Sequence, residues 1–495
     1  MSFARSTQTL DSQASWPLHS IAQTQAIEHQ AQAALPPHTL MQRAGLATAQ
    51  LALAIAPHAH TIWIACGPGN NGGDGLEAAI HLHAWGKHPI VTWPGQAGHA
   101  PVDAQHAWQR AVGAGVKFAE HAPDQFDLAI DALLGIGAQR APDGLMAQWL
   151  NAMQSSSVPV LCVDVPTGLL ADTGEWLGAP SLHQTHTTTQ RHTLSLLTLK
   201  PGLFTADGRD AAGQVWLNTL GVDTELAPAT AWLQKRAPVR ASRAHNSHKG
   251  SFGHVAILGG SAGMSGAAAL AGLAALHGGA GRVLVGVMDE TARPSIAAAH
   301  PALMVRSPTE LSLHESTVVC GCGGGDAVHA LLPHVLSSSQ QLVLDADALN
   351  AIARNTSLQH LLKQRNHRHK PTVLTPHPLE AARLLNCSVK EVQKNRLHAA
   401  QQLADVFQCV VVLKGSGSIV TSHKHQPIIN ASGNAQLATA GTGDVLAGLI
   451  AAYIARSEDA FVACCQAVFS HGHVADMWPA EGVALDAAWL AASVR

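Results

Sequence analysis

Apolar and polar positions follow two different periods along this 495-residue chain. Apolar residues recur every three or four positions at 21–34 and 40–55, which predicts two amphipathic helices. From residue 61 onward, short apolar runs alternate with helical segments. The runs predict strands at 61–65, 90–93, 128–131, 158–163, 193–197 and 215–217. This alternation indicates a mostly parallel sheet in a three-layer α/β domain, with helices on both faces.

The alternation lapses at residues 226–246, where Pro, Ala and basic residues predict an exposed linker. It restarts with predicted strands at 255–258, 283–287, 317–320, 342–345, 373–375 and 410–413. Residues 1–16 are polar, and we expect them to form a disordered tail. The pattern therefore predicts two α/β domains, at 17–225 and 247–495.

Composition removes several classes of protein. Hydrophobic residues make up 47% and charged residues 13%, which argues against a disordered chain. The formal net charge of −3 and the lack of a long apolar run predict no nucleic-acid partner and no membrane. The eight cysteines are expected to be reduced core residues, and the polar start lacks a signal peptide. A cytoplasmic location is therefore expected.

A glycine-rich loop follows the first predicted strand. Residues 67–75 read G-P-G-N-N-G-G-D-G, and we expect a helix to follow from Leu76. The backbone N–H groups of such a loop can hold a phosphate, and the first glycines fit the Rossmann-like G-x-G-x-x-G pattern. A dehydrogenase also needs an acid after its second strand to bind the ribose. No Asp or Glu occurs between Glu77 and Asp103, so the sequence argues against a dehydrogenase.

Oxygen-bearing side chains follow three of the predicted strands. The loops at 67–75, 131–137 and 164–169 contain Asn71, Asp131, Asp164 and Thr167. Because parallel strands end at one edge of a sheet, we expect these groups to meet there. Such oxygens suit a hard cation, and one acid left over could act as a base. Alternatively, either Asp caps a helix or holds a loop.

These motifs resemble the NAD(P)H-hydrate epimerase family over residues 17–225, as do L-M-Q-R-A-G at 40–45 and L-K-P-G-L at 199–203. The resemblance implies a potassium site at Asn71, Asp131 and Thr167, with Asp164 as the base. The family usually has Ser in place of Thr167 and an aromatic residue in place of Leu76. The residues implied to contact the hydrated nucleotide are Asn70, Asn71, Gly72, Gly73, Asp74, Gly135, Ile136, Gly137, Ala138, Gln139, Arg140, Ala141 and Asp164.

The second half carries its own phosphate motifs. Residues 441–444 read G-T-G-D and precede an apolar helix to about residue 454. Their N–H groups could hold a phosphate oxyanion, while Asp444 takes a proton from an attacking hydroxyl; a helix N-cap is the alternative. The loop at 414–418 suits adenylate phosphates, although an exposed hairpin turn would look similar. His377 lies between two prolines and is either functional or a lone loop histidine.

G-T-G-D resembles the ribokinase-like superfamily, and the fuller set resembles the ADP-dependent NAD(P)H-hydrate dehydratase family over residues 240–495. Residues 320–325 read C-G-C-G-G-G, so Cys322 and Gly324 replace the usual Pro and Leu. We expect this loop to be more flexible and the contact at Gly325 to be altered. The resemblance implies hydrate contacts from Ala267, Gly325, His377 and Asp444. It implies contacts with the AMP moiety from Lys414, Gly415, Ser416, Gly417, Ser418 and Gly443.

Together, the two resemblances imply a bifunctional enzyme. The first domain would interconvert the R and S hydrates of NADH and NADPH with K⁺ bound. The second would dehydrate the S form with ADP, accompanied by Mg²⁺, and would release NAD(P)H, AMP and phosphate. We expect a homo-oligomer. The alternatives are a ribokinase-like small-molecule kinase with an N-terminal nucleotide-binding module, and a non-enzymatic module of an RNA-processing scaffold. The intact polar residues and neutral charge argue against the second alternative.

Overall fold

The computed structural model divides the chain into two compact units. It describes residues 7–10, 14–94, 100–177, 190–234, 245–457, 459–479 and 482–494. The first unit contains Trp16–Ala231 with the N-terminal segment Met1–Asp11, and the second contains Trp232–Arg495 with Ser12–Ser15. No helix among these described residues is long and apolar enough to cross a bilayer.

The first unit contains one mostly parallel sheet. Its helices are α1 (Ile21–Ala34), α2 (Thr39–Ile55), α3 (Asn70–Ala84), α4 (Val102–Gly113), α5 (Gly144–Ser155) and α6 (Gly208–Ala212). The strands up to residue 218 are β1 (Gln8–Thr9), β2 (Ser15–Leu18), β3 (Thr61–Cys66), β4 (His88–Thr92), β5 (Lys117–Ala119), β6 (Leu128–Ala132), β7 (Val160–Val163), β8 (Arg191–Leu196) and β9 (Gln214–Asn218). The sheet has the order β1-β9-β8-β7-β6-β3-β4-β5, and only β1 runs antiparallel. Residues 62–66 are all buried, so both faces of the sheet are covered as predicted.

The N-terminal tail differs from the prediction. Gln8 pairs with Leu217 and Thr9 with Trp216, so these residues extend the sheet and are not a disordered tail. Leu10 is buried, which explains why this polar segment is held in place. Residues 1–6 and 11–13 lie outside the described part.

Helix α3 begins at Asn70, six positions before the predicted start at Leu76. Glycines lower helix propensity, but here they allow close packing. A Cβ added at Gly72 would lie 1.9 Å from the Gly67 oxygen, and one at Gly75 would lie 2.8 Å from the Cys66 sulfur. The glycines therefore let the first turns of the helix lie against the end of β3.

The second unit is another α/β domain. Its strands are β10 (Ala231–Gln234), β11 (His254–Gly259), β12 (Arg282–Val287), β13 (Met304–Arg306), β14 (Thr317–Cys320), β15 (Gln341–Leu344), β16 (Thr372–Leu374), β17 (Val410–Leu413), β18 (Ile419–Ser422) and β19 (His425–Asn430). They follow the order β13-β12-β11-β14-β15-β16-β17-β18-β19-β10. Strand β18 is antiparallel to both neighbours.

Helices of this unit pack through small side chains. They are α7 (Ser265–His277), α8 (Arg293–Ala299), α9 (Val328–Ser338), α10 (Ala346–Ala353), α11 (Thr356–His367), α12 (Pro378–Leu385), α13 (Val389–Lys394), α14 (Arg396–Phe407), α15 (Thr442–Ile454), α16 (Ala460–Met477) and α17 (Ala487–Ser493). A Cβ added at Gly448 of α15 would lie 2.0 Å from the Ala271 oxygen of α7. This close approach positions the start of α15, which carries the G-T-G-D motif.

The predicted linker at 226–246 is wrong in part. Residues 231–234 form β10, in which Ala231 and Leu233 are buried while Trp232 is exposed. This period of two is the pattern of a strand, and the surrounding Pro and basic residues masked it. The basic segment at 235–244 lies outside the described residues. All eight cysteines are free thiols, as predicted.

Candidate active sites

A cavity of about 440 Å³ lies at the carboxyl ends of the central strands in the first unit. Helices α1, α2 and α3 and the loops after β6, β7 and β8 line it. Eight predicted contact residues face this cavity: Asn70, Asn71, Asp74, Gly135, Ile136, Gly137, Ala138 and Asp164. Five others do not: Gly72 and Gly73 are buried in α3, while Gln139, Arg140 and Ala141 are exposed beyond the cavity.

Asp164 is held in a strained position at the end of β7. Its φ of 67° is in the left-handed region, which is uncommon for a residue with a side chain. Oδ1 accepts hydrogen bonds from Lys200 Nζ and, at 3.3 Å, from the Leu196 N–H. Among the described residues, Oδ2 accepts no hydrogen bond, so this oxygen is available to a ligand in the cavity.

Lys200 is fully buried and has one defined orientation. Besides Asp164, its ammonium donates to the Leu196 carbonyl at 2.7 Å and to Ser195 Oγ at 3.3 Å. An ammonium has three N–H groups, so every donor is used. The sequence motif at 199–203 contained this lysine, but nothing in the sequence indicated that it contacts Asp164, 36 positions away.

Asp131 and Thr167 connect two of the predicted loops. Thr167 Oγ1 donates to Asp131 Oδ1 at 2.6 Å, and the Thr167 N–H donates to Oδ2 at 3.0 Å. Burial raises the pKa of Asp131, and these hydrogen bonds partly oppose the rise. The loop-holding role considered for Asp131 is therefore present. The Asp131 carboxyl is buried and makes no ion pair within the described ranges.

Asn71 is the third of the predicted cation ligands. Asn71 is buried, and its side-chain amide nitrogen has no hydrogen-bond partner in the described structure. Since the amide O and N can be exchanged by rotation, this group can present an oxygen to an ion. Asn71, Asp131 and Thr167 together offer amide, carboxylate and hydroxyl oxygens, which are suitable ligands for a hard cation.

The second site surrounds the first turn of α15. Gly441, with φ of 89°, is the N-cap of this helix, and Asp444 is its third residue. The N-cap interpretation of Asp444 is therefore wrong. A Cβ added at Gly443 would lie 3.3 Å from Lys414 Nζ, so the glycine leaves room for the lysine. Lys414 in turn pairs with Asp345 Oδ1 at 2.7 Å.

Asp444 has the electrostatics of a base that works near neutral pH. Burial, followed by repulsion from Asp345, raises its pKa to about 6, while a hydrogen bond with Cys322 and attraction to Lys414 oppose the rise. Burial and the neighbouring carboxyls raise the pKa of the Cys322 thiol well above its usual value. The thiol therefore stays protonated and can donate to Asp444.

The side chains of Cys322, Asp345 and Asp444 do not suit a resident Mg²⁺ ion. Ligand atoms of Cys322, Asp345 and Asp444 lie within 4.8 Å of one another. Magnesium prefers hard oxygen ligands, a protonated thiol is a poor one, and Asp345 already pairs with Lys414. Cys322 and Asp345 therefore affect the pKa of Asp444, but the cluster is a poor site for a hard ion.

The loop at 321–325 lies against the start of α7. Gly321, Gly323 and Gly325 have positive φ, and the Gly325 N–H donates to Asp347 Oδ2 at 2.8 Å. A Cβ added at Gly323 would lie 2.9 Å from the Ala267 Cβ. The segment that contains the predicted contact residue Gly325 thus packs against Ala267, another predicted contact residue. The increased flexibility of this loop stays a prediction.

His377 caps a helix, so it is not a lone loop histidine. Its Nδ1 accepts from the Leu379 N–H at 3.1 Å, and its Nε2 lies 3.2 Å from Glu380 Oε1. Burial lowers the pKa of His377 and raises that of Glu380 to about 7. Lys414, Asp345 and Asp347 influence the pKa of one or both of these groups, which places this cap beside the second site.

The loop at 414–418 is a hairpin connection, as the alternative proposed, but Lys414 is not exposed. It joins antiparallel strands β17 and β18. Buried Arg396 lies under it and donates to the Lys414 carbonyl at 3.2 Å. Among the residues that sequence reasoning missed here are Asp345 and Arg396, which contact Lys414 across 69 and 18 positions of sequence.

Two α/β units, each with an aspartate beside a glycine-rich backbone segment, fit an enzyme with one candidate nucleotide-binding site in each unit. The family described as NAD(P)H-hydrate dehydratase matches residues 255–494, and the YjeF-related protein N-terminus matches residues 37–202. The bifunctional NAD(P)H-hydrate repair enzyme Nnr of Escherichia coli is 37% identical over 461 residues, covering 90% of this chain and 86% of the relative.

The chain is also similar to a second curated relative and to a solved structure. The bifunctional NAD(P)H-hydrate repair enzyme of Leishmania braziliensis is 33% identical over 486 residues, covering 89% of this chain and 85% of the relative. A solved ADP/ATP-dependent NAD(P)H-hydrate dehydratase from Bacillus subtilis, co-crystallized with ATP/Mg²⁺, is 32% identical with a TM-score of 0.45, covering 51% of this chain and 91% of that chain. The chain belongs to the family of bifunctional NAD(P)H-hydrate repair enzymes.

Proposed function

We propose that the first unit epimerises the R and S hydrates of NADH and NADPH, and that the second dehydrates the S hydrate with ADP. The observation that carries this proposal is that each unit places a shielded aspartate beside glycine-rich backbone, Asp164 in the first and Asp444 in the second. The family assignment gives these sites their substrates. Its two matched segments account for both units and disfavour a lone small-molecule kinase.

In the first unit, the hydrate would occupy the cavity with its reacting ring near Asp164. Residues 70–74 and 135–141 would bind the nucleotide, and those facing the cavity would make the direct contacts. Because Lys200 engages Oδ1, Asp164 would exchange protons with the substrate through Oδ2. Asn71, Asp131 and Thr167 would hold K⁺, which would neutralise the buried carboxyl of Asp131 and fix the loops around it.

In the second unit, ionised Asp444 would remove the proton from the ring hydroxyl. The hydroxyl oxygen would then attack the terminal phosphoryl group of ADP and release AMP. Backbone N–H groups at 441–443 and Lys414 would hold the charge that develops on the phosphoryl oxygens. Loss of phosphate from the ring carbon, together with a ring proton, restores the dihydropyridine.

The remaining predicted contacts are assigned to the same site. Ala267, Gly325 and His377 would contact the hydrate. Mg²⁺ would arrive with ADP, and no step of the proposal requires an ion held by the cluster around Cys322. The AMP moiety would be bound by Lys414, Gly415, Ser416, Gly417, Ser418 and Gly443. A homo-oligomer and a cytoplasmic location stay predictions, which light scattering and cell fractionation would check.

An R/S mixture of hydrated NADH, supplied with ADP and the full chain, tests both activities. We expect absorbance of the dihydropyridine to recover completely, because epimerisation feeds the S form to dehydration. Asp444→Asn should abolish dehydration and leave R/S exchange intact. Asp164→Asn should do the reverse, and recovery should then stop at the initial S fraction. Asn is the matched replacement because it tolerates the positive φ at residue 164.

Two results would contradict the proposal. Dehydration by the Asp444→Asn variant at close to the normal rate would remove Asp444 as the base. Unchanged R/S exchange in the Asp164→Asn variant would remove Asp164 from the first reaction. Consumption of ATP with a thiazole, pyrimidine or sugar alcohol, and no reaction with the hydrates, would instead support the kinase alternative.

A further inference from the structure

Four carboxyl side chains line the cavity of the first unit, those of Glu28, Asp74, Asp103 and Asp164. Asp164 pairs with Lys200, and Asp103 lies 2.6 Å from His38, while Glu28 makes no ion pair within the described residues. Asp74 faces the cavity from the second turn of α3 and makes no ion pair within the described residues. Asp74 and Asp164 thus line the same cavity but differ in their surroundings. Asp164 has an ammonium partner, and Asp74 has no ion-pair partner among the described residues.

The environment of Asp74 favours its neutral form. Burial raises its pKa well above the usual value, and the nearby carboxyls raise it further. The charged groups that act most strongly on Asp74 are, in order of effect, Asp164, Glu28, Glu77 and Asp103. A pair of carboxyls with opposed environments is the usual arrangement of an acid and a base in one active site.

We propose that Asp74 is the catalytic proton donor of the first unit and that it acts on the departing hydroxyl of the hydrate while Asp164 serves as the base. This proposal rests on the epimerase function proposed above. The neutral carboxyl gives its proton to the hydroxyl oxygen, the C–O bond breaks, and water leaves. The lone pair of the ring nitrogen forms a C=N bond, which gives a cationic ring.

The second half of the reaction sets the new configuration. A solvent water adds to the cationic carbon on the opposite face, the C=N electrons return to the ring nitrogen, and Asp164 Oδ2 accepts the proton of the added water. Proton exchange with solvent then restores both carboxyls. The roles of the two residues reverse for the opposite epimer, as an isomerisation at equilibrium requires.

The charge of the cavity favours this route through a cation. Among the described residues that line it, Glu28, Asp74, Asp103 and Asp164 are acidic, and none is Lys, Arg or His. Fixed negative charge stabilises a cationic intermediate that forms beside it. A potassium ion at Asn71 and Asp131 would chiefly neutralise Asp131, which is not among the residues that line the cavity.

The first test combines Asp74→Asn with the isotope content of the product. The wild-type chain, without ADP, should convert R to S in ¹⁸O-water and place ¹⁸O in the product hydroxyl. Asp74→Asn keeps the shape and a hydrogen-bond donor but cannot supply the proton. We expect kcat to fall roughly 100-fold or more while KM changes only a few-fold. Asp74→Glu, which keeps an acid, should recover part of the rate.

The pH profile gives a readout that a purely structural role would not change. Wild-type exchange should fall at alkaline pH as Asp74 ionises, and this alkaline limb should be absent from the residual activity of Asp74→Asn. Epimerisation without ¹⁸O incorporation, or a kcat for Asp74→Asn within about three-fold of wild type, would overturn the inference alone. A wild-type chain that does not exchange R and S would overturn the proposed epimerase function as well.

Discussion

Replacing Cys322 with Ala should shift the pH dependence of dehydration to higher pH. The Cys322 thiol interacts with Asp444 and helps to keep this carboxyl ionised, against burial and against Asp345. Only ionised Asp444 can act as the base, so dehydration should fall as pH drops through its pKa of about 6. Without the thiol, the ionised form loses one stabilising contact and its pKa should rise.

The size of this shift follows from the energy of one hydrogen bond. Such a bond contributes about 0.5–1.5 kcal/mol, and we use this range because a thiol is a weak donor. At about 1.36 kcal/mol for each pKa unit, the pKa of Asp444 should rise by roughly 0.4–1.1 units. For a mid-range shift of about 0.7 unit, the ionised fraction at pH 6 falls about three-fold, while at pH 8 it hardly changes.

The assay is kcat for dehydration between pH 5 and pH 8.5, with S-hydrate and ADP both saturating. Cys322→Ser is the matched control, because a hydroxyl is a stronger donor than a thiol and should leave the acid limb at or below its wild-type position. A packing defect would move both variants alike. If Ala and Ser shift the acid limb in the same direction, or if neither shifts it, the thiol does not tune Asp444.

Other perturbations test the buried groups and the glycine-rich helix. Lys200→Met should stop R/S exchange and destabilise the first unit by about 3–5 kcal/mol, since Asp164 keeps a buried unpaired charge. In a urea titration, Lys200→Arg should recover stability more than it recovers exchange. Asp444→Asn should increase stability by about 1–2 kcal/mol at pH 8, where wild type carries a shielded charge, and have no such effect below about pH 4, where the carboxyl is neutral; an equal gain at both pH values in thermal melts would contradict this. Gly72→Ala should lower the melting temperature of the first unit, since its Cβ would lie 1.9 Å from a backbone oxygen, while Gly69→Ala, with nothing within 4 Å, should have little effect.

Elements with a strong periodic pattern were predictable from sequence. Helix α1 spans Ile21–Ala34, as predicted, and strands β14 and β17 also match their predicted ranges. The start of α3 was wrong because local propensity penalises glycine, whereas the structure requires glycine for packing against β3. Strand β10 was missed because it lies among linker-like residues.

The candidate sites also combine features that sequence could predict with features that it could not. Glycine-rich segments whose backbone N–H groups can hold a phosphate are local in sequence. Residues 67–75 and 441–444 could therefore be recognised from their glycines. Ion pairs are not local: Lys200 and Lys414 find Asp164 and Asp345 only when distant strands come together. The sequence contains both members of each pair, but no periodicity or spacing connects them. The glycine-rich segments could therefore be predicted from sequence, whereas the ion pairs beside the two aspartates depend on the folded structure.

The two lysines contact different partners in the two candidate sites. Lys200 contacts Asp164 directly and has no exposed surface, so the carboxylate of the first unit has a cation at hydrogen-bond distance. Lys414 instead pairs with Asp345, and Asp444 makes no ion pair among the described residues, which leaves burial to dominate its pKa of about 6. Acidification towards pH 6 should therefore slow dehydration, and a chain given ADP and the S hydrate at pH 5.5 should restore little NADH.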